Sequence, residues 1–316
     1  MVAQGPKVAV IGAGMSGLTC ARALAQRGVD VTVFDKGRGL GWRMATRRAD
    51  CDFQFDHGVQ YITARTEGFA TLMKRAEVNG AVARWPNDSE SLSFVGVPGM
   101  TGLARYLGAG LDIRKETRVD RIVKANGRWR VVWQGGEGVF DRVVVTTPAP
   151  QIAPLLPEDD IFTDALDSVV MDPCLTLMVG LSHGTQLSFG SRLSPDEDIA
   201  WITRDSVKPG RPAATCIVAQ AGRGWSLQHL ELGADAIADR MLPLVSQAIG
   251  ADLAVDATYV SAHRWRYAFT SAALGEPFIA DDTRTLFAGG DWCLGKKIED
   301  AWSSGQAIAD ALLEDI

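Results

Sequence analysis

The stretch from Val8 to Leu18, V-A-V-I-G-A-G-M-S-G-L, constrains this chain more than any other. An apolar run passes straight into a turn in which Gly12, Gly14 and Gly17 have the spacing G-x-G-x-x-G. In a strand–turn–helix unit the first glycine permits the tight turn and the second lets a pyrophosphate approach the backbone. The third lets the helix pack closely on the strand. The N–H groups of Met15 and Ser16 then open a helix, with the positive end of its dipole toward the phosphates. The spacing alone is a weak signal, but its context supports it. Leu18 to Gln26 reads as a helix stopped by Gly28, and Val29, Val31 and Val33 alternate as a second strand that ends at Asp35. An acidic residue about 20 positions past the glycines is placed to accept hydrogen bonds from a ribose. These residues predict an α/β unit that binds an adenine dinucleotide.

A second glycine block follows at once, Lys36-Gly37-Arg38-Gly39-Leu40-Gly41-Trp42-Arg43-Met44. A nicotinamide dehydrogenase of this type would normally proceed to another strand–helix unit. Here the loop supplies fixed positive charge, and guanidinium forks suit phosphate oxygens. Arg47 and Arg48 continue the basic run, so a solvated basic loop is the alternative. Glycines at alternate positions favour close backbone approach over simple exposure.

D-K-G-R-G-L-G-W-R-M from Asp35, then F-D-H-G-V-Q-Y from Phe55 to Tyr61, resemble the flavin-containing amine oxidase superfamily. More narrowly, the chain resembles the bacterial renalase-like proteins. The likeness continues through V-G-V-P-G-M at Val95, T-T-P-A-P at Thr146, M-D-P at Met171 and H-R-W-R-Y-A at His263. It ends with G-G-D-W-C-L and A-W-S-S-G-Q at Ala301 to Gln306. It runs in order along essentially the whole chain. One departure stands out: Trp42 occupies the place where the family usually has a second glycine. The resemblance implies non-covalently bound FAD, with the pyrophosphate at Gly12 to Gly17 and contacts from Asp35, Lys36, Arg38, Arg43 and Met44. It also implies Val119 against the adenine and the Ile298 N–H at the flavin C2 carbonyl.

The composition agrees with an ordinary globular protein. The chain has 316 residues, enough for one large or two interleaved domains, with 47% hydrophobic and 22% charged residues. A net charge of −6 argues against nucleic acid or an anionic membrane surface as partner. No apolar run approaches the roughly 18 residues of a membrane span. The apolar N-terminal stretch is already the first strand, so no secretory signal is expected and the location is expected to be cytoplasmic. Cys20, Cys51, Cys174, Cys216 and Cys293 include no C-x-x-C pair and read as reduced thiols. No histidine lies beside a cysteine at ligand spacing, so no metal site is expected. Cys293 is read as a small buried side chain, not a covalent flavin attachment.

The fold class expected is α/β, a Rossmann-like FAD-binding domain of the amine oxidase type with an inserted α+β substrate domain. The cofactor domain takes 1–60, 95–152 and 284–316; the substrate domain takes 61–94 and 153–283. Thr117 to Thr147 reads as a three-strand meander whose third strand begins at Phe140, after a turn at Gly135-Gly136. Leu175 to Leu181 and Thr258 to Trp265 read as strands and Ala234 to Ala248 as a helix. Arg84 to Ser91, Pro148 to Asp160 and Ser191 to Asp198 read as loops. Thr285 to Gly289 is a short strand with Asp291 at its carboxyl end, where ligands of open α/β sheets bind, making Asp291 a candidate partner for a ribityl hydroxyl. A helix then runs from Ile298 to Leu313. Its N-terminus would stabilise the negative charge of a reduced flavin. Glu299 and Asp300 oppose that charge unless they point away.

No second G-x-G-x-x-G occurs, so a separate NADPH-binding module is not expected. Electrons would enter from a small molecule stacked on the flavin. Side chains that would line that face are Gln60, Tyr61, His263, Trp265 and Tyr267. Strand alternation sets the last three opposite Arg264 and Arg266, although Trp and Tyr on an inward strand face also serve plain core packing. Hydride transfer from a dihydropyridine needs no protein base, and no acid–base set is evident. The renalase-like resemblance implies oxidation of misreduced 2- or 6-dihydro NAD(P), with electrons passed to O2 to give hydrogen peroxide. Two alternatives stay open: an amine oxidase or desaturase of the same superfamily, and a non-catalytic protein of the GDP-dissociation-inhibitor type.

Overall fold

The strand Lys7–Ile11 is buried over its last four residues, and Asp30–Phe34 beside it shows the same pattern. Such continuous burial marks strands covered on both faces, as in a parallel sheet. In the computed structural model, which describes residues 5–85, 93–156, 162–182, 187, 190–194 and 197–315, these two strands are neighbours in a six-stranded sheet. Its order is Ile279–Ala280, Leu286–Ala288, Arg142–Val145, Lys7–Ile11, Asp30–Phe34 and Asp112–Arg114. All pairings are parallel except that of the first, edge strand. Alternate side chains sort onto two faces. Val8, Val10 and Val33 pack with Leu18, Leu24, Ile308 and Leu312 from the first helix, Met15–Gln26, and the last, Ile298–Glu314. Ala9, Ile11 and Phe34 pack with Ile122, Trp129 and Val131 of a three-stranded antiparallel meander.

The meander differs from expectation in its third strand. Gly136–Phe140 completes it, whereas Arg142–Val145 crosses into the parallel sheet beside Lys7–Ile11. Asp141 marks the break, its carboxylate holding the Lys7 N–H at 2.8 Å and Arg128 Nε at 2.8 Å. The sequence shows one apolar run here because Phe140 before the break and Val143 to Val145 after it are all buried. Segment limits shift as well. Ile279–Ala280 joins the parallel sheet, in a hairpin pinned by Asp281, whose carboxylate accepts from the N–H groups of Thr285 and Leu286. Ser93–Gly96 pairs with Ile62–Thr63 and Val82–Arg84 in a small separate sheet.

The remaining sheet is five-stranded and antiparallel, in the order Ser191–Leu193, Ile199–Arg204, Cys216–Ala221, Val170–Leu181 and Ala257–Ala272. One face buries Leu175, Leu177 and Val179 against Ile237, Met241 and Val245 of the helix Ala234–Ile249. The other face carries Cys174, Gln220 and Trp265 toward the carboxyl ends of the parallel strands. Of the expected loops, residues 86–92, 157–161 and 195–196 lie outside the described residues. Two short 3-10 turns, Ala149–Gln151 and Ala153–Leu155, occupy the described part of the second. Ser191–Leu193 is an edge strand where a loop was expected.

Candidate active site

Two cavities form one crevice along the carboxyl ends of the parallel strands, sharing Gly14, Trp42, Thr146, Thr147 and Pro148 in their walls. The outer one, about 490 Å3, is lined by Gly12, Asp35, Lys36 and Val119, the residues expected around an adenosine. The inner one is lined by Met15, Ser16, Arg43, Asp291 and Ile298, together with Gly58, Val59, Gln220 and Trp265 from the opposite side. Most of the expected cofactor residues are thus gathered into one crevice from three distant stretches of chain.

The glycines explain the crevice's shape. A Cβ on Gly17 would lie 2.0 Å from the Gly12 carbonyl oxygen, so the first helix can sit this close to the strand only with glycine there. A Cβ on Gly14 would meet no protein atom within 4 Å, although Gly14 lines both halves of the crevice. The open space beside Gly14 is therefore space for a ligand. Ser16 offers a buried hydroxyl without a protein partner at the same wall. These features fit a dinucleotide pyrophosphate on the helix N-terminus.

Asp35 does more than wait for a ribose. Its carboxylate accepts from Ala13 N at 2.6 Å and from Gly37 N at 2.7 Å, tying both glycine loops together. Burial pushes its carboxyl up, against the lowering effect of those two amides and Lys36. Lys36 reaches across to Gln151 Oε1 at 3.2 Å. Arg43 and Asp291 form a two-pronged pair, Nη1 to Oδ2 at 2.6 Å and Nη2 to Oδ1 at 2.5 Å, and Arg43 also donates to the Ala268 carbonyl. Both line the inner crevice, but each already holds the other.

Trp42 follows Gly41 with φ of +46°, the left-handed region that explains the family's preference for glycine at this place. An L side chain there costs roughly 1–2 kcal/mol. The indole recovers contacts, with the Arg43 guanidinium 4.1 Å from its ring centroid and Trp265 edge-on at 6.5 Å. Glu299 and Asp300 do point away from the crevice. Glu299 accepts from the N–H groups of Arg65 and Thr66, and Asp300 caps its own helix through Lys297 N at 2.8 Å.

Four expected residues lie elsewhere. Met44 is fully buried in the core and lines neither half of the crevice, because the 3-10 turn Trp42–Met44 directs its third side chain inward. Arg38 is exposed and lines an adjoining cavity, not the crevice around Gly12 to Gly17. Gln60 spends its amide inside the protein, donating to the carbonyls of Asp56 and Gly58 and accepting from Lys208 Nζ at 3.3 Å. Tyr61 packs between Trp85 and Trp201, at ring separations of 6.2 and 5.6 Å, and lines neither half of the crevice. Cys293 is fully buried, and burial pushes its thiol up to about 12.

The adjoining cavity, about 830 Å3, is lined by His263, Trp265 and Tyr267, but also by Arg264 and Arg266, which strand alternation had set apart from them, and it adds a residue not singled out from the sequence, His57. His57 stacks on Trp265 at 5.2 Å and meets His263 edge-on at 4.9 Å, while Trp265 Nε1 donates to the His57 carbonyl at 2.8 Å. Trp42 and Trp265 line both this cavity and the inner crevice, so they form the partition between them. The signal for His57 was its place in F-D-H-G-V-Q-Y, but its partners come from a strand some 200 residues away.

Both imidazoles are held neutral. Burial, then His263 and Arg47, push His57 down to about 3, against the raising effects of the Phe55 backbone and Asp56. Burial, then Arg47 and Arg264, push His263 down to about 4. An unfolded histidine titrates near 6.5. A histidine whose folded pKa is depressed binds more protons when unfolded, so stability falls as pH drops below about 6.5 and continues falling to the folded values. The melting temperature is expected to decrease between pH 7 and pH 4.5, and His57→Gln should flatten that decrease. An unchanged slope in the variant would show that other groups set it.

The comparisons with known proteins bear on this geometry. Residues 10–76 match the model of an NAD(P)-binding Rossmann-like domain, and residues 81–313 match that of flavin-containing amine oxidoreductases. The chain belongs to the flavin-containing amine oxidoreductase family. A protein from Exiguobacterium sp. 255-15, provisionally described as a protoporphyrinogen oxidase, superimposes with a TM-score of 0.78 at 15% identity, covering 98% of this chain and 99% of that one. A redesigned putrescine oxidase superimposes at 0.77 with 12% identity, covering 99% of each chain. These two likenesses establish the fold. A flavin-containing monooxygenase of Arabidopsis thaliana is 28% identical over 160 residues, 44% of this chain and 34% of that protein. A 4,4'-diapophytoene desaturase of Staphylococcus aureus is 46% identical over 52 residues, 16% of this chain and 10% of that protein. The matched parts thus span about a third or less of these curated relatives. As a member of this family the protein is an oxidoreductase with FAD as its cofactor, which sets aside the binding-protein alternative. No helix among the described residues is long and apolar enough to cross a membrane, and no group of three or more His, Cys, Asp or Glu there is arranged to hold a metal.

Proposed function

We propose that this flavoenzyme is a renalase-like oxidase that takes hydride from 2- or 6-dihydro isomers of NAD(P). The observation that carries the reading is the cavity beside the crevice, whose lining has an aromatic wall built around Trp265, with His57 stacked on it, and no carboxylate. A neutral dihydropyridine ring suits that wall. A cationic amine would meet Arg47, with no acidic side chain in the lining to compensate. FAD, held non-covalently, would supply the hydride acceptor, with O2 taking up the two electrons and two protons as hydrogen peroxide. The protein's own task is to hold the donor carbon at about 3–3.5 Å from the acceptor atom. Trp42 and Trp265, at the partition, are the side chains that would orient the ring. His57 and His263 are neutral at pH 7, so neither adds a competing positive charge. Hydride loss from a dihydropyridine requires no base, in keeping with a wall whose two neutral imidazoles, pushed down to about 3 and about 4, are weak ones.

The test is anaerobic mixing of the FAD-loaded protein with 2-, 4- and 6-dihydro NAD(P) and with primary amines. The 2- or 6-dihydro isomers should bleach the flavin rapidly, and ordinary 4-dihydro NADH slowly, because its donor carbon sits elsewhere on the ring. The rate should change little with pH wherever the fold persists. Rapid bleaching by an amine alone, or a bell-shaped pH profile for that step, would assign the protein to the amine oxidase reading.

A further inference from the structure

The cavity beside the crevice has a charge imbalance that an aromatic ring does not explain. Four arginines besides Arg38 contribute to its lining: Arg47, Arg48, Arg264 and Arg266. Two of them are compensated. Arg266 grips Glu231 at 2.8 and 3.0 Å, and Arg264 donates to the Leu230 carbonyl and lies 3.5 Å from the same carboxylate. The other two are not. Arg47 donates to the neutral Ser261 hydroxyl at 3.0 Å, and Arg48 is exposed with no carboxylate partner among the described residues. Arg47 is half-buried, where a charge without a counter-ion is costly unless a ligand supplies one. It lies close enough to His57 and His263 to depress both. All this stands in a protein whose net charge is −6, so the positive charge is local.

Resting on the reading above, we propose that Arg47 and Arg48 form a subsite for the phosphate groups of the substrate. The substrate class is then the phosphorylated dihydronicotinamides, mono- or dinucleotide, in preference to phosphate-free nucleosides. Guanidinium forks match phosphate oxygens in geometry, and two adjacent cations suit a diphosphate. The ring then reaches the crevice past Trp42 and Trp265, while the anionic tail stays at the mouth. Arg47 and Arg48 sit on the short strand that pairs with Gln54-Phe55, which leads directly into His57, so phosphate and ring contacts are built on one hairpin.

The probe is ADP-ribose, which carries the diphosphate but no reducible ring, titrated calorimetrically into the FAD-loaded protein. It should bind, weaken steeply with salt, and be competed by inorganic pyrophosphate, while adenosine should not bind. The Arg47→Gln, Arg48→Gln double variant should lose about tenfold to a hundredfold in affinity, the range of a lost charge-assisted hydrogen bond. Flavin absorbance and melting temperature check that the variant is folded and loaded, and Arg48→Gln alone gives a milder, exposed substitution. Equal affinity in wild type and double variant, or no binding of ADP-ribose, overturns the subsite. Arginine-dependent binding without bleaching by any dihydronicotinamide supports the subsite and sinks the redox reading. Bleaching with the same KM in both proteins does the reverse.

Discussion

Replacing Gly14 with valine is expected to yield a folded protein that has lost its flavin. The backbone there is extended, with φ of −77°, so a β-branched residue adopts it without strain. A Cβ at this place meets no protein atom within 4 Å, and packing in the free protein should hardly change. The added methyl groups would instead fill the wall shared by both halves of the crevice, where the pyrophosphate must touch the backbone. A loss of at least about a hundredfold in FAD affinity is expected, equivalent to about 2.8 kcal/mol. Gly17→Ala is the contrasting control, because its Cβ would collide with the Gly12 carbonyl and damage the fold itself. Circular dichroism and thermal melting separate the two outcomes. Full flavin content in folded Gly14→Val would remove the pyrophosphate from this loop.

The second large effect lies behind the crevice, in four charges that are almost completely withdrawn from water. Lys208 Nζ lies 2.5 Å from Asp205 and 3.7 Å from Asp56 Oδ2, and Arg211 pairs with that same oxygen of Asp56. Burial pushes the Asp56 carboxyl up, but Lys208 and Arg211 outweigh it, with the Met100 N–H and Thr46 hydroxyl helping to hold it below the usual range. For Asp205 burial prevails over Lys208, and its carboxyl is raised. Lys208→Met removes the cation between two buried carboxylates, and breaking such a pair on one side costs about 3–5 kcal/mol. Urea denaturation should record that loss. Adding Asp205→Asn should recover a good part of it, because the amide oxygen can still accept from Asp56 N while the orphaned charge is gone. A loss under about 1 kcal/mol, or no recovery in the double variant, would mean that the cluster is not coupled. The consequence reaches the site, since Lys208 also holds Gln60, whose amide supports the Gly58 carbonyl at the crevice wall.

What the sequence determined by itself is the cofactor half of the molecule. Strand, glycine turn, helix and acidic strand end follow one another within the first 35 residues, and each is fixed by local geometry or by continuous apolar burial. Asp291 and Ile298 were legible for the same reason, being at a strand's carboxyl end and a helix start. The tertiary structure decided whatever depends on partners distant in the chain. Gln60 and Tyr61 have the residue types of a binding wall, but Lys208 and two tryptophans occupy them. Met44 was displaced from the site by the turn of a three-residue helix, and Arg38 by the course of its loop. His57 entered the site because the strand Ala257–Ala272 brings Trp265 and His263 onto it. The buried ion cluster joins residues 56, 205, 208 and 211, whose spacing carries no periodic signal. Local backbone preference and apolar pattern are written in short windows of sequence. The pairing of buried charges and rings is a property of elements that meet only when the sheets have packed.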